Sequence, residues 1–459
     1  RTAVAAAAAT TTTAVTPGST TDADTFDAPR LGRVLADGDD GEPFEVFPRL
    51  AVTGEALPVV RLRPTDTVAQ LRLAVVRSAG QGGLIQLLLR KTVLRRDHLS
   101  LSAVGLCGGE EIFVLRSSLR FAATICDDGG AKLWSLADGE CLHGLQHGGS
   151  VHSAVFSPDG SQLLTASSSG TAARLWAVED GGLLATFSGH ESAVRSAAFS
   201  PDGSLVLTGS DDETAKLWRV KEANCVRTFV AGPGQVLSAQ LAPDCRTALT
   251  ATADGTVKCW GTKNGDCIQT VQGSRCAVKS AAFSPDGRHL LTCAGRVVEI
   301  WRQGVLKQTL KGHKREVLSA AFSADSAFVV TAAFDCTARV WALQVDRGRE
   351  TAETRPGKVV FEHEAAVHAA SFSLDGLRVL TISLEGEASL WPLDDPGAKC
   401  LLTGHAGSVL SASFSPDGAS IITASEDGTA KLWSAETGQC TQTLSGHSAA
   451  VSYALLSPA

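Results

Sequence analysis

Methionine is missing from all 459 residues, position 1 included, so the chain reads as a processed form or a fragment. Long apolar runs are also missing. None approaches the roughly 18 residues of a membrane-spanning helix, and membrane insertion is not expected. There is no basic excess, since 41 Lys and Arg stand against 48 Asp and Glu, a net charge of −7. A phosphate-binding surface is therefore not the main business of the chain, and no nucleic acid is expected. The sequence has no CxxC pair and no Cys/His spacing of the zinc type, so no metal is expected. Phosphate-cradling glycine motifs and cofactor fingerprints are absent too, which leaves no cofactor.

What the chain does have is periodicity. The stretch from His190 to Trp218, HESAVRSAAFSPDGSLVLTGSDDETAKLW, returns with small edits through the C-terminal three quarters. All eight tryptophans (134, 176, 218, 260, 301, 341, 391, 433) close a copy, at intervals of 42, 42, 42, 41, 40, 50 and 42 residues. A fixed period of this length means a repeat architecture. A threonine stands nine to eleven residues before each Trp: Thr124, Thr165, Thr208, Thr250, Thr292, Thr331, Thr381 and Thr423. Cys141, Cys225, Cys267 and Cys440 each follow a Trp by seven residues. Such equivalent positions lie a whole repeat apart, beyond the roughly 4.4–6.8 Å Cα separation of a disulfide. They read as small buried thiols in a reducing compartment, cytoplasmic or nuclear.

Residues 1–43 are Ala/Thr-rich and then acidic, too poor in large apolar side chains to order themselves. A disordered leader is expected, with the remnant of a targeting peptide as the alternative. Residues 44–117 switch to alternating apolar patterning. VFPRLAV and LPVVRLRP read as strands joined by a turn at Thr53-Gly54-Glu55. Thr67 and Gln70 have capping-box spacing, and Val68, Leu71 and Val75 form one helix face ended by Gly80-Gln81-Gly82-Gly83. IQLLL and EEIFVLR complete a ββαββ order. With Thr65-Asp66-Thr67-Val68, Leu87-Leu88-Leu89-Arg90-Lys91 and Leu101-Ser102-Ala103-Val104-Gly105-Leu106, this order resembles the ubiquitin-like β-grasp. The family's terminal Gly-Gly is replaced by Ser117-Ser118, so conjugation is not implied. Recognition through the sheet face is, with Leu88 and Val114 at the family's apolar patch and Arg90, Lys91, Arg95 and Arg96 nearby. The bland alternative makes these leucines core and these arginines solubilising.

From 118 to 459 each copy carries a Ser-Pro-Asp-Gly turn or a relative of it, as at 157–160, 200–203, 284–287 and 415–418, between two apolar stretches. A second tight turn and two further strands follow. Four short antiparallel strands per repeat make a propeller blade. These repeats resemble the WD-repeat family. That resemblance implies a hydrogen-bonded tetrad in each blade: a His before the first strand, a Ser or Thr on the second, an Asp in the next turn, and the Trp. His190, Ser210, Asp212 and Trp218 match it, as do His405, Ser425, Asp427 and Trp433. The Trp391 copy has His363, Ser383 and Glu385. The Trp341 copy has His313 and Asp335 with Ala333 in the Ser place, and the Trp176 copy has His147 and Ser167 with Ser169 near the Asp place. The Trp260 copy lacks the His, and the Trp301 copy lacks His and Asp and should be the loosest. A Ser, a His and an Asp also suggest a hydrolytic triad, but a triad occurs once, in a cleft. This trio recurs and always ends at a Trp, so a structural role is expected and no catalytic residue is assigned.

The first copy lacks its own first strand, whereas the chain ends on a first strand with no partners. His447, placed against Asp128 and Trp134, would complete it. The expected fold is therefore an all-β propeller of eight four-stranded blades, closed by its N- and C-terminal strands, with the small α+β domain ahead. EIFVLR serving as the opening blade's first strand is the alternative.

Strand direction brings the loop before strand one and the turn after strand two to one face. Phe334, Leu384, Leu318, His368, Arg195 and Lys279 sample that face and are the candidate partner-binding residues. The six Lys or Arg residues two before Trp are expected to pair with acidic turns. The insertion 344–357 is expected to project from the opposite face as a mobile loop. The sequence thus points to a non-catalytic scaffold or adaptor binding a protein or peptide, its small domain recruiting ubiquitin- or proteasome-related machinery. The rivals are an architectural subunit of a trafficking, cytoskeletal or RNA-processing complex, and an enzyme at the propeller mouth.

Overall fold

The structure is a computed structural model. It describes residues 42–50, 56–68, 70–71, 74–75, 84–89, 92–93, 100–106, 109–117, 121–126, 129–147, 149–167, 170–272, 278–343, 352–354 and 359–458. The expected leader up to residue 41, the turns at 53–55 and 80–83, Arg90, Lys91, Arg95 and Arg96, and Ser169 lie outside the described residues.

Five strands open the described chain: β1 (Phe44–Leu50), β2 (Val60–Leu62), β3 (Leu84–Leu89), β4 (Thr92–Val93) and β5 (Glu111–Ser117). They form one mixed sheet in the order β2-β1-β5-β3-β4, with β1 antiparallel to β2 and parallel to β5. A parallel pair needs a crossover, and the helical residues Val68, Leu71 and Val75 supply one whose apolar face is fully buried. The Thr67 amide donates to Gln70 Oε1 (2.7 Å) and the Gln70 amide to Thr67 Oγ1 (3.3 Å), fixing the helix start. These side chains, with Val46, Leu101, Leu106 and Ile112, make a core of their own. EIFVLR thus belongs to this sheet, through its pairing with β1 and β3, and not to the repeats.

Every tryptophan stands in a sheet of its own with four consecutive antiparallel strands, or three and a strand from afar. The Trp218 sheet is typical: Val194–Phe199, Leu205–Ser210, Thr214–Arg219 and Cys225–Val230, in that order. Its second strand is buried on both faces, from Val206 to Ser210, with the hydroxyls of Thr208 and Ser210 inside as well. Successive sheets meet through their first strands, or through a second and a first, which places those strands inward and the fourth strands at the rim. At the start of the series, Val451–Leu456 pairs with Phe121–Cys126 in the register Leu455↔Ala123 and Ala454↔Thr124. The far end of the chain therefore completes the Trp134 sheet and touches the Trp433 sheet on its other side.

Two expectations need correction. Cys141, Cys225, Cys267 and Cys440 are exposed rather than buried. Each opens a rim strand, where the side chain faces outward, and burial falls at the strand's penultimate residue instead, at Leu145, Phe229, Val271 and Leu444. The insertion is not simply a projecting loop: its residues Ala352–Thr354 form a strand on the edge of the preceding, Trp301 sheet. Trp301 itself is only half-buried, unlike the other seven tryptophans.

Candidate functional site

The tryptophans are held by threonine. In every sheet the indole Nε1–H donates to the Thr on the second strand: 2.7 Å to Thr124, 2.8 to Thr165, Thr208, Thr331, Thr381 and Thr423, 2.9 to Thr250 and 3.0 to Thr292. In the Trp218 sheet, His190 Nε2 lies 2.7 Å from Thr208 Oγ1 and Nδ1 lies 2.7 Å from Asp212 Oδ2. An ionised carboxylate only accepts, so Nδ1 carries the ring proton and Nε2 accepts from the threonine. The bonds then run one way, from indole to hydroxyl to imidazole to carboxylate. The Thr214 hydroxyl and the Glu191 amide also donate to Asp212, at 2.6 and 3.0 Å. His405, Thr423, Asp427 and Trp433 repeat this arrangement, and so do His313, Thr331, Asp335 and Trp341. Across the seam His447 Nε2 lies 2.7 Å from Thr124 Oγ1; Asp128 lies outside the described residues.

Ser210 and Ser425 therefore do not occupy the tetrad places the sequence suggested. Trp218 is paired opposite Val206, and its indole reaches one same-face position along the strand, to 208. Ser210 sits two residues further on, donating to Ser192 O and accepting the Asp212 amide, both at 3.2 Å; Ser425 accepts the Asp427 amide likewise. This explains how Ala333 stands in the Ser place of an intact network. The signal was present in the sequence, in the threonine ahead of every Trp.

Glu385 does not stand in for an aspartate either. It is exposed, while Glu387 forms an ion pair with Lys399, whose ammonium lies 5.4 Å over the Trp391 ring. His363 packs edge-on against Trp391, and neither of its ring nitrogens has a partner among the described residues. Among the described residues the cations two before Trp form no ion pair with an acidic turn, and Arg339 donates to Thr337 Oγ1 (3.2 Å). Lys216 and Lys431 donate to Thr228 and Thr443 at the rim (3.1 and 2.8 Å), Arg174 donates to Gln146 O, Lys132 donates to Gly446 O, and Lys258 covers Trp260.

These networks set the response to acid. Burial holds His190, His313 and His405 below the usual histidine value of 6.5, against the pull of their aspartates. His363 is pushed down to about 4, by burial and then by Lys399. Burial alone would raise Asp212, but Thr214, the Glu191 amide and His190 hold it down to about 2. In both kinds of group the folded-state value lies below the unfolded one. Their stability is thus complete above the unfolded value and lost as pH falls toward the folded one. The melting temperature should fall from pH 6.5 to about 4 as His363 and its kin take up protons, then again from 3.8 to about 2 through Asp212. Thermal scans across pH check this, and His363→Gln should flatten the first decline.

The candidate binding residues share a second device. Each first strand shifts register by one residue, and the extra residue is His152, Arg195, Leu237, Lys279, Leu318, His368, Leu410 or Ser452. A bulge of this kind re-aims a side chain out of the ladder. Sequence alone hinted at it, because the buried positions Val194 and Ala197 are three apart instead of two. The turn residues lie beside the bulges. The amides of Asp211, Ala253, Phe334, Leu384 and Glu426 donate to the carbonyls of Ala193, Gln235, Glu316, Ala366 and Ser408, at 2.7–3.0 Å. Leu384 is 53% exposed, and Phe334, Leu318 and His368 are half-buried. Arg195 grips Asp211 with two nitrogens, at 2.9 and 2.7 Å, and Lys279 lies 3.9 Å from Glu316 of the next sheet. Leu88 and Val114 stand apart, in strands β3 and β5, and their side chains lie outside the described residues.

Successive four-stranded antiparallel sheets, joined through inner strands and closed by a strand from the chain's far end, define a β-propeller. The family described as WD domain, G-beta repeat matches residues 139–176, 181–219, 223–261, 265–302, 304–342 and 398–434, together half of the chain, and the chain belongs to that family. Among solved structures it is similar to the crystal structure of the computationally designed Ika8 protein, at 25% identity and a TM-score of 0.58 over 69% of this chain and 94% of that one. The C-terminal WD40 domain of Sif2 is similar at 16% identity and a TM-score of 0.57, over 66% and 89% of the two chains. No curated protein matches significantly. Propellers of this family generally mediate protein–protein interaction and are generally non-catalytic.

Proposed function

We propose that the chain is a non-catalytic scaffold: an eight-bladed ring that binds a protein or peptide through its bulge-and-turn face, preceded by a ubiquitin-like module at 44–117 that recruits a second partner. The observation that carries the propeller half is the run of bulges at Arg195, Lys279, Leu318, His368 and their equivalents, each beside an anchored turn residue. Leu318 with Phe334, and Leu384 beside His368, give neighbouring sheets apolar groups there, with Lys279 on the sheet before them and Arg195 farther round, a pattern suited to a partner's apolar anchor. The ubiquitin-like reading is supported by the sheet order β2-β1-β5-β3-β4 and by the helix packed on it, and a link to ubiquitin- or proteasome-related machinery follows from that reading. Free cysteines in number suit a reducing compartment. Affinity purification with quantitative mass spectrometry tests the division of labour. Leu384→Asp should remove one set of partners about tenfold, and Leu88→Ala another. A partner set untouched by Leu384→Asp and by Phe334→Ala would remove the assigned face.

A further inference from the structure

Positive charge on the bulge-and-turn face gathers in one sector. Among the described residues, Arg296 is the one Lys or Arg in a turn after a second strand, and Lys314 and Arg315 are the two in a loop before a first strand. All three are exposed, and no side-chain partner holds them among the described residues. Contacts between sheets bring them together. The Val317 amide donates to Gly295 O of the preceding sheet (2.7 Å), which sets the Arg296 turn against the loop that carries Lys314 and Arg315. Lys279, exposed at the bulge of the Trp301 sheet, comes within 3.9 Å of Glu316 in the same loop. Four cations thus meet on a chain whose net charge is −7. Glu316 is the one carboxylate paired with any of them among the described residues. Asp335 is engaged elsewhere, by His313, the Thr337 hydroxyl and the Lys314 amide. The Phe334 amide donates to Glu316 O (2.9 Å), so the apolar part of the face borders the cluster. Beyond it, the next two sheets expose Glu364, Glu385 and Glu426.

Resting on the assignment of this face as the partner site, we propose that the bound segment of the partner is acidic at one end. A run of Asp or Glu lies over Lys279, Arg296, Lys314 and Arg315, and an apolar side chain next to the run packs on Phe334 and Leu318. Exposed charge pairs are individually weak, but several cations of one sign draw in an acidic chain and turn away a basic one. Glu364, Glu385 and Glu426 repel further acidic residues past the anchor, which confines the run to one side of it. Charge therefore fixes the orientation of the segment, and the apolar contact holds it.

The probe is a labelled synthetic peptide of four glutamates followed by Leu-Phe-Leu, titrated against the intact chain by fluorescence anisotropy. Arg296→Glu combined with Lys314→Glu should weaken binding about tenfold, since it turns attraction into repulsion. Arg296→Gln with Lys314→Gln, which only removes charge, should weaken it about threefold. Lys221→Glu, in an exposed turn at the opposite end of the strands, should leave it unchanged. Binding should fall as salt rises from about 0.05 to 0.5 M, and a peptide with lysine in place of glutamate should not bind. No binding of the acidic peptide, equal binding by the charge-reversed chain, or binding of the lysine peptide would overturn the proposal. So would tighter binding of a labelled oligouridine than of the peptide, which would make the cluster a nucleic-acid surface. Affinity purification separates this from the parent assignment. Partners lost with Leu384→Asp but kept by the charge-reversed chain would leave the face standing and remove its acidic partner, whereas partners kept by both would remove the face.

Discussion

A chain ending at Ser445 should lose its cooperative melt, or melt several degrees below the intact protein. The missing segment supplies the inner strand of the Trp134 sheet. Val451 and Ala454 are fully buried and Leu456 is 6% exposed, packed against Trp134 and the Trp433 sheet. Burying Val and Leu stabilises by roughly 1.5–3 kcal/mol each, and the strand also takes with it the ladder from Val451↔Cys126 to Leu456↔Ala122. Truncation also removes His447 from Thr124 and bares the edge of Phe121–Cys126, which exposes an aggregation-prone strand. Calorimetry and light scattering on the truncated chain check this. An unchanged melt would mean the seam contributes nothing.

Thr208→Val should cost about 3 kcal/mol, against about 1 for Ser210→Ala. Valine keeps the shape of threonine but offers no oxygen, so the Trp218 indole N–H and His190 Nε2 both lose their partner inside the sheet. Each unsatisfied buried group costs roughly 1–3 kcal/mol. Ser210 loses a turn contact of 3.2 Å and a bond to Ser192 O, groups that lie toward the end of the blade. Parallel thermal melts of the two variants decide the matter. Equal losses would return the serine to the tetrad.

Periodicity made most of the propeller legible. Tryptophans that recur at one interval, turns of Ser-Pro-Asp-Gly, and an orphan strand at the C-terminus lead to the architecture without coordinates. The tetrad was legible only in part. Ser210 and Thr208 lie on the same face of one strand, and choosing between them depends on how far an indole leans, which no spacing encodes. Glu385 misled for a related reason: the Leu384-Glu385-Gly386 turn is held by backbone bonds, so the carboxylate at the Asp place faces solvent. The cysteines were misread because position in the repeat was used without asking which face of a rim strand that position takes. The bulges were hidden because one extra residue leaves composition unchanged and shows only as a spacing of three between buried positions. The strand at 352–354 had no local signal, since its partner lies about forty residues earlier in another repeat.

The most direct test of the closed ring is hydrogen exchange, by mass spectrometry, of the peptide spanning His447 to Leu456. Paired with Phe121–Cys126, its amides should exchange as slowly as those of Val194–Phe199, the equivalent inner strand of the Trp218 sheet. Exchange within seconds, at the rate of an unpaired tail, would contradict the account.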